Sequence, residues 1–303
     1  MPWKPPHGEI PVGWAWPTLA DSKTIAALLR NASDRLVAVS NTSHLDAEIL
    51  LAHALSKPRS YLYAWPEQML DSSQSQPFAA LIERRLSGEP IAYILGRREF
   101  WSLELVVTPA TLIPRPETEL LVELALERIP PSGGMRVADL GTGSGAIALA
   151  IAKERVEVEM IATDSSADAL AIACLNARRL DIRNVVFRQG DWCGALKQDE
   201  RFGLIVSNPP YVAMNDPYLA ELRFEPASAL VAGSDGLEAI RSLVAQVMDF
   251  LQPGGGLLLE HGCEQDRQVQ ELLRIQGFIE MQSYRDAAGK DRVTGGRRPL
   301  QGE

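Results

Sequence analysis

Asp139-Leu140-Gly141-Thr142-Gly143-Ser144-Gly145 is the stretch that decides the fold. It follows a strand-like run over residues 135–140 and leads straight into a helical run over residues 146–152. Glycines let the backbone turn tightly and let a ligand approach closer than any Cβ would allow. A Gly-rich string alone also arises in structural turns, so its place between a strand and a helix is what marks a nucleotide-binding corner.

Downstream of the loop, strand-like runs at residues 156–163, 184–189, 203–207 and 255–260 alternate with helical ones. The clearest helix spans residues 237–251, with Ile240, Val244, Val247, Met248 and Leu251 on one face before Pro253 and Gly254 end it. Such alternation predicts an α/β fold with a mostly parallel sheet wound on both sides. Ligands of such a sheet bind beyond the carboxyl ends of its strands.

Upstream, residues 100–107 are rich in aromatic and branched side chains, which predicts a short β-hairpin within a linker over residues 91–112. Pro114 and Pro116 stop it, and Pro116 suits the first turn of a helix striped with Leu120, Leu121 and Leu124. Residues 18–88 show only helical signals. Ser43 and Asp46 form a capping-box-like start to the run holding Leu45, Ile49 and Ala52, and Phe78, Leu81, Ile82 and Leu86 repeat at helical spacing up to Gly88 and Pro90. Two domains are expected: residues 1–90, an arm plus a small helical domain suited to docking a partner, and residues 91–303, the linker hairpin and the α/β domain. The arm, with Trp3, Trp14 and Trp16 among prolines, receives no role.

The bulk composition narrows the class. With 303 residues the chain buries a substantial core, and 30 basic against 39 acidic residues leave a net charge of −9. That charge disfavours nucleic acid as the primary partner, because gripping a phosphate backbone needs the opposite sign. Cys174, Cys193 and Cys263 are scattered and lack metal-ligand spacing, so no disulfide framework and no metal are expected. No apolar run has the length of a signal peptide or a membrane span. The expectation is a cytoplasmic protein with no membrane partner, read as a monomer.

Two further positions belong with the loop. Asp164 ends the next strand, where a carboxylate can accept hydrogen bonds from both hydroxyls of a ribose; the same residue can also cap the helix that follows, a task open to Ser165 or Ser166 as well. Gly190-Asp191-Trp192 ends the third strand, and the Trp192 ring can lie along a purine face or simply pack in the core. These features do not separate a nicotinamide cofactor from S-adenosylmethionine.

The fourth strand carries the deciding motif, Asn208-Pro209-Pro210-Tyr211. Two successive prolines donate no backbone hydrogen bonds and hold the chain extended, leaving the Pro209 carbonyl free to face a ligand. Asn208 adds a side-chain carbonyl beside it. Two acceptors suit the two hydrogens of an NH2 group, and Tyr211 would pack against its flat plane. An amide nitrogen is a poor nucleophile, so catalysis must hold its lone pair in line for attack and stabilise the charge that develops on it.

Asp139 to Gly145, Asp164 and the Asn-Pro-Pro-Tyr motif resemble the signature of Rossmann-like class I methyltransferases that modify exocyclic or amide nitrogens. Phe100-Trp101-Ser102-Leu103, Ile113-Pro114-Arg115-Pro116-Glu117-Thr118, Arg223-Phe224-Glu225-Pro226 and Asp46-Ala47-Glu48-Ile49-Leu50-Leu51 are similar to segments of the release-factor glutamine N5-methyltransferases, over about residues 20–295. The resemblance implies methyl transfer from S-adenosylmethionine to the glutamine of the Gly-Gly-Gln motif in peptide chain release factors. It assigns Gly141, Thr142, Gly143, Ser144, Gly145, Asp164, Trp192 and Asn208 to the cofactor, and Asn208, Pro209, Pro210 and Tyr211 to the glutamine and its chemistry. The small helical domain then helps to engage the protein substrate.

Three rivals remain on the residues alone. An enzyme acting on the adenine amino group of DNA needs the same two acceptors, but net acidity and the lack of a basic recognition domain count against it. A nicotinamide-dependent dehydrogenase leaves Asn208 to Tyr211 unexplained. A noncatalytic adaptor leaves the cofactor loop unexplained. Residues 212–236 read as a substrate-facing loop, Glu225 as either a substrate contact or a partner for backbone amides, Arg115 as a pocket or surface residue, and His261 as a structural histidine.

Overall fold

Period-2 alternation of apolar side chains builds the central sheet in the computed structural model, which describes residues 24–302. Trp3, Trp14 and Trp16 of the expected arm lie outside the described residues. In β3 (Arg136–Leu140), Val137 faces one layer of helices while Ala138 and Leu140 face the other. In β6 (Phe202–Ser207), Leu204 and Val206 share the first side and Ile205 the second. A strand buried on both faces reads as continuously apolar, as these do.

The sheet has seven strands in the order β5-β4-β3-β6-β7-β9-β8. Strands β4 (Glu159–Asp164), β5 (Val185–Gln189) and β7 (Leu251–Glu260) join β3 and β6 in parallel, while β8 (Ile279–Arg285) and β9 (Asp291–Arg297) add an antiparallel edge. The order reverses between β3 and β6, so a crevice opens where their connections leave on opposite faces. The pairs Val137↔Leu204, Ala138↔Ile205 and Asp139↔Val206 hold these two strands level, and the Ser207 hydroxyl donates to the Leu140 carbonyl at 2.5 Å. Level strands bring the loop that starts at Gly141 beside the one that starts at Asn208.

Helices α6 (Glu119–Arg128), α7 (Ala146–Glu154) and α8 (Ala167–Arg179) cover the first face, with Ala146 to Ala152 of α7 all buried. Gly145 adopts φ +85°, and a Cβ there would lie 3.0 Å from Leu149 Cδ1. Only glycine lets α7 start so close to the strand. On the second face, α9 (Glu238–Val247) and α10 (Asp266–Ile275) bury Ile240, Leu243, Val244, Val247, Val269 and Leu273.

A hairpin, β1 (Arg97–Phe100) and β2 (Leu103–Val106), turns through Trp101 and Ser102, which both have positive φ (50° and 55°). Such a pair of left-handed residues matches the twist of a two-residue hairpin turn. Asn176, fully buried on α8, fastens it: its Oδ1 accepts from Val106 N at 2.8 Å, while its Nδ2 donates to Val106 O at 3.0 Å and to Ser144 O at 2.9 Å. One side chain therefore ties the hairpin to the glycine loop.

The other compact unit, described from Thr24 to Leu95, is helical: α1 (Ile25–Leu36), α2 (Ser43–Ala54), α3 (Arg59–Ala64), α4 (Ser72–Leu86) and α5 (Ile91–Leu95) enclose their own core around Leu28, Leu50, Leu51, Phe78 and Ile82. Residues 91–95 form a helix of this unit rather than the start of the hairpin linker, because Ile94 packs into that core.

Several local readings of the sequence need correction. Ser43 is the first residue of α2 and not its cap; Asp46 instead accepts from the Ser40 and Thr42 hydroxyls and from Arg85. Ala52 is buried as expected, together with Ala47, Leu50 and Leu51, while Leu45 is exposed. The true capping box is Asp71 with Gln74, at the start of α4. The helix expected over residues 237–251 stops at Val247 in a 3-10 turn, and β7 already begins at Leu251, ahead of Pro253. Strands β8 and β9 were not foreseen. No helix among the described residues is long and apolar enough to cross a membrane.

Replacing Asn176 with alanine leaves buried groups on two segments without partners, which predicts a loss of about 2–4 kcal/mol. Urea unfolding of the full chain measures it; a midpoint within error of wild type would show that the three bonds hold nothing together.

Candidate active site

The loop after β3 wraps around a carboxylate it does not contain. Asp164, at the tip of β4, accepts from Gly143 N at 2.8 Å through Oδ2 and from Ser166 N at 2.9 Å through Oδ1. Ser166 itself caps α8, its Oγ accepting from Ala169 N at 3.1 Å. Asp164 therefore holds the loop and leaves the capping to serine. Each carboxylate oxygen keeps further acceptor capacity toward the cavity that Asp164 lines.

Gly141 and Gly143 both have positive φ (78° and 57°). A Cβ on Gly141 would stand 3.3 Å from the Trp192 ring, whereas one on Gly143 would meet nothing. The first glycine admits the indole against the loop, and the second keeps the cavity open. Trp192 opens a 3-10 turn, Trp192–Ala195, and packs beside the core of the second face, so its ring has both a structural neighbour and a cavity edge.

Asp139 sits beneath the loop, fully buried. Its Oδ2 accepts from the Thr142 hydroxyl at 2.6 Å, and its Oδ1 has no partner among the described residues. Burial, reinforced by the nearby charge of Asp164, raises its pKa to about 7. A buried polar atom without a partner costs stability, and such costs concentrate at ligand sites.

This cavity is lined by Gly141, Thr142, Gly143, Ser144, Asp164, Asp191, Trp192, Asn208 and Pro210. Of the residues expected here, Gly145 is absent from the walls and acts through packing. A second, wider cleft adjoins it, lined among others by Glu117, Tyr211, Tyr218, Glu260, Lys290 and Arg292. Leu112, Arg115, Asn208 and Ala229 border both. Pro209 is buried and lines neither, so its ring lies behind the wall that Asn208 and Pro210 form.

At this seam Asn208 Nδ2 donates to the Thr118 hydroxyl at 3.2 Å, and no donor among the described residues reaches its Oδ1. The Tyr211 hydroxyl donates to Glu260 Oε1 at 3.3 Å, and Gln265 Nε2 donates to the Tyr211 carbonyl at 3.1 Å. Burial and the adjacent Glu260 hold the Tyr211 phenol far above its ordinary pKa, so it stays protonated.

Glu225 is buried, accepts from Ile113 N at 3.0 Å and pairs with Arg115, so it braces the cavity mouth. Residues 212–236 fold back through a bridge between Val212 and Val231, placing Pro226, Ser228 and Ala229 on the first cavity and Tyr218 on the second. His261 is buried with Nε2 on the Thr294 hydroxyl and Nδ1 on the Gly262 carbonyl, each at 2.8 Å; burial lowers its pKa and it serves structure. Thr118, Glu260 and Arg292 were not singled out from the sequence. For Glu260 the signal was present: a carboxylate closing the apolar run Leu257-Leu258-Leu259.

A switch-point crevice with a glycine loop on one strand and Asn-Pro-Pro-Tyr on the next defines a methyltransferase, and a methyltransferase domain model matches residues 131–293. A PrmC N-terminal domain model matches residues 27–96. The chain is 49% identical over 275 residues to the release factor glutamine methyltransferase of Coxiella burnetii, covering 91% of this chain and 99% of that one. It is 47% identical over 271 residues to that of Escherichia coli K12, covering 89% and 97%. This chain belongs to the release factor glutamine methyltransferase family.

Solved structures agree in fold. A methyltransferase from Pyrococcus furiosus aligns with TM-score 0.50 at 20% identity over 72% of this chain and 98% of that one. The 16S rRNA N2 G1207 methyltransferase of Thermus thermophilus aligns with TM-score 0.51 at 20% identity, over 67% and 49%. The cofactor of the family is S-adenosylmethionine, and the residues present fit it: an open glycine cradle at Gly143, a carboxylate at Asp164 and an aromatic wall at Trp192.

Substituting Asp164 with alanine removes an acceptor from the loop as well as from the cavity. Calorimetry should show S-adenosylmethionine binding weakened by roughly tenfold or more, the equivalent of one charge-assisted hydrogen bond. Wild-type affinity would rule out the cofactor role of Asp164.

Proposed function

We propose that this chain transfers the methyl group of S-adenosylmethionine to the side-chain amide nitrogen (N5) of the glutamine in the Gly-Gly-Gln motif of peptide chain release factors. The observation that carries this reading is Asn208, standing between the cofactor cavity and the wider cleft with its Nδ2 occupied by Thr118 and its Oδ1 left to accept. When bound, S-adenosylmethionine supplies a methyl group already activated by a sulfonium charge.

Asn208 Oδ1, which borders both cavities, accepts one amide hydrogen of glutamine; the Pro209 carbonyl, in the wall behind it and taken by no donor among the described residues, is the acceptor for the other once the substrate seats against that wall. Held in this way, the nitrogen presents its lone pair along one direction, and orientation of this kind can remove several kcal/mol from a barrier. The same oxygens stabilise positive charge developing on that nitrogen. Tyr211, kept neutral, supplies a flat wall for the amide. A strong base is unnecessary, because the alkylated amide nitrogen is acidic and releases its proton readily.

The wider cleft gives the protein chain on either side of the glutamine a place to lie, and the helical unit adds a surface for engaging the release factor. On this reading the enzyme works in the cytoplasm as a monomer, with neither membrane nor nucleic acid as a primary partner. The net charge of −9 supports the last point.

Methyl-labelled S-adenosylmethionine offered with a release factor, its glutamine-substituted variant and DNA should label the unmodified factor alone. Asn208→Ala should lower kcat by roughly a hundredfold while cofactor binding survives, the usual cost of one oriented polar group at a transition state. Label on DNA, or undiminished turnover without Asn208, would reject the reading.

A further inference from the structure

Asn208 and Pro209 answer the two hydrogens of a glutamine amide, but the amide also brings a carbonyl oxygen with it. Delocalisation shifts electron density from nitrogen onto that oxygen, and an acceptor taken out of water without a donor costs binding. The donor has to stand where the two cavities meet, beside Asn208.

Four residues border both cavities: Leu112, Arg115, Asn208 and Ala229. Leu112 and Ala229 have apolar side chains, and the NH2 group of Asn208 is turned to Thr118 at 3.2 Å. Arg115 is the side-chain donor left at that seam.

Its position is set from both ends. Arg115 caps the 3-10 turn Pro116–Thr118, whose last residue meets Asn208, so a single turn separates its backbone from the Asn208 amide. At the tip of the side chain Nη2 donates to Glu225 Oε1, while Glu225 Oε2 accepts from Ile113 N at 3.0 Å. The Glu225 side chain is 2% exposed and that of Arg115 is 34% exposed, so the carboxylate is sealed in while the guanidinium stays partly open. A guanidinium carries five N–H donors in one plane, and Glu225 is its one acceptor among the described residues. Pairing with Glu225 also offsets the cation, so a bond to the amide oxygen adds little net positive charge beside a nitrogen that itself becomes positive.

Resting on the glutamine-methylation reading above, we propose that Arg115 is a substrate-binding residue whose guanidinium, oriented by Glu225, donates to the side-chain carbonyl oxygen of the target glutamine. The seam then reads both ends of the group, with acceptors for the NH2 and a donor for the oxygen. An amine without a carbonyl leaves Arg115 unanswered, and a carboxylate has no hydrogens for Asn208. The set selects a carboxamide.

The test is a coupling measurement on the full chain, loaded with S-adenosylhomocysteine so that no transfer occurs. It is titrated with a release factor and with the same factor carrying alanine in place of the target glutamine. Wild type should prefer the glutamine factor, and Arg115→Met should reduce that preference by about tenfold or more, the worth of one hydrogen bond from a charged donor. Calorimetric S-adenosylmethionine affinity, which reports on the cavity wall that Glu225 braces, should stay within about twofold of wild type. Arg115→Lys keeps a charge against Glu225 without the planar fork; it should keep the wild-type urea midpoint and still lose most of the preference. In steady state both variants should raise KM for the glutamine factor more than they lower kcat.

An undiminished preference in either variant would overturn the proposal. Equal weakening toward the glutamine and alanine factors, or a fall in cofactor affinity that matches the loss, would do the same by leaving Arg115 a brace alone. In each of these cases a wild type that labels release-factor glutamine leaves the proposed function standing. A wild-type chain unable to label it overturns that function and this inference together.

Discussion

Everything at the site depends on two parallel strands ending level. The pairing of β3 with β6 through Val137↔Leu204 to Asp139↔Val206 places the glycine loop and the Asn-Pro-Pro-Tyr segment side by side where the order of the parallel strands reverses. A slip of one residue would turn every side chain of β6 to the opposite face and bury the wrong set. The alternation of Leu204 and Val206 against Ile205 forbids that slip, so the apolar pattern of the core fixes the distance between the glycine loop and the Asn-Pro-Pro-Tyr segment.

Around that pair, the molecule accepts electrostatic costs that ordinary packing would avoid. Asp139 and Glu260 are carboxyls buried near the ends of β3 and β7, the strands on either side of β6, and one oxygen of each lacks a partner among the described residues. Burial alone disfavours their charge, and each has a pKa raised to about 7. Asp139 lies beneath the glycine loop and Glu260 lines the wider cleft, and Asp164 and Glu225 repeat the theme by holding loop amides with carboxylate oxygens. Acidic side chains here serve as anchors for backbone that glycine and proline leave short of regular hydrogen bonds.

How much of this was legible depends on what kind of signal each element carries. The parallel strands were readable because burial on both faces leaves uninterrupted apolar runs, and the glycine loop and Asn208 to Tyr211 because their residue types have few other uses. Strands β8 and β9 escaped because their apolar content is diluted by arginines, acids and Gly295-Gly296; their pairing is dictated by β7 and not by local pattern. The start of β7 was hidden by Pro253 and Gly254, which mark a helix end in sequence but sit within the strand in space. In α2, Leu45 looked like core because spacing alone does not tell which of two overlapping stripes faces inward. Thr118 was beyond reach for a different reason: its partner Asn208 lies ninety residues further along the chain, and only the fold brings the two together.

Strand β9 runs against its neighbours, so it begins where they end. Its first residues, with the turn before it, therefore arrive at the same rim as the strand tips, and Lys290 and Arg292 become walls of the wider cleft. Strand β9 is thus part of the wall of that cleft as well as of the sheet. Trimming β9 with the turn before it would strip two cations from that cleft and bare the edge of β7 at once.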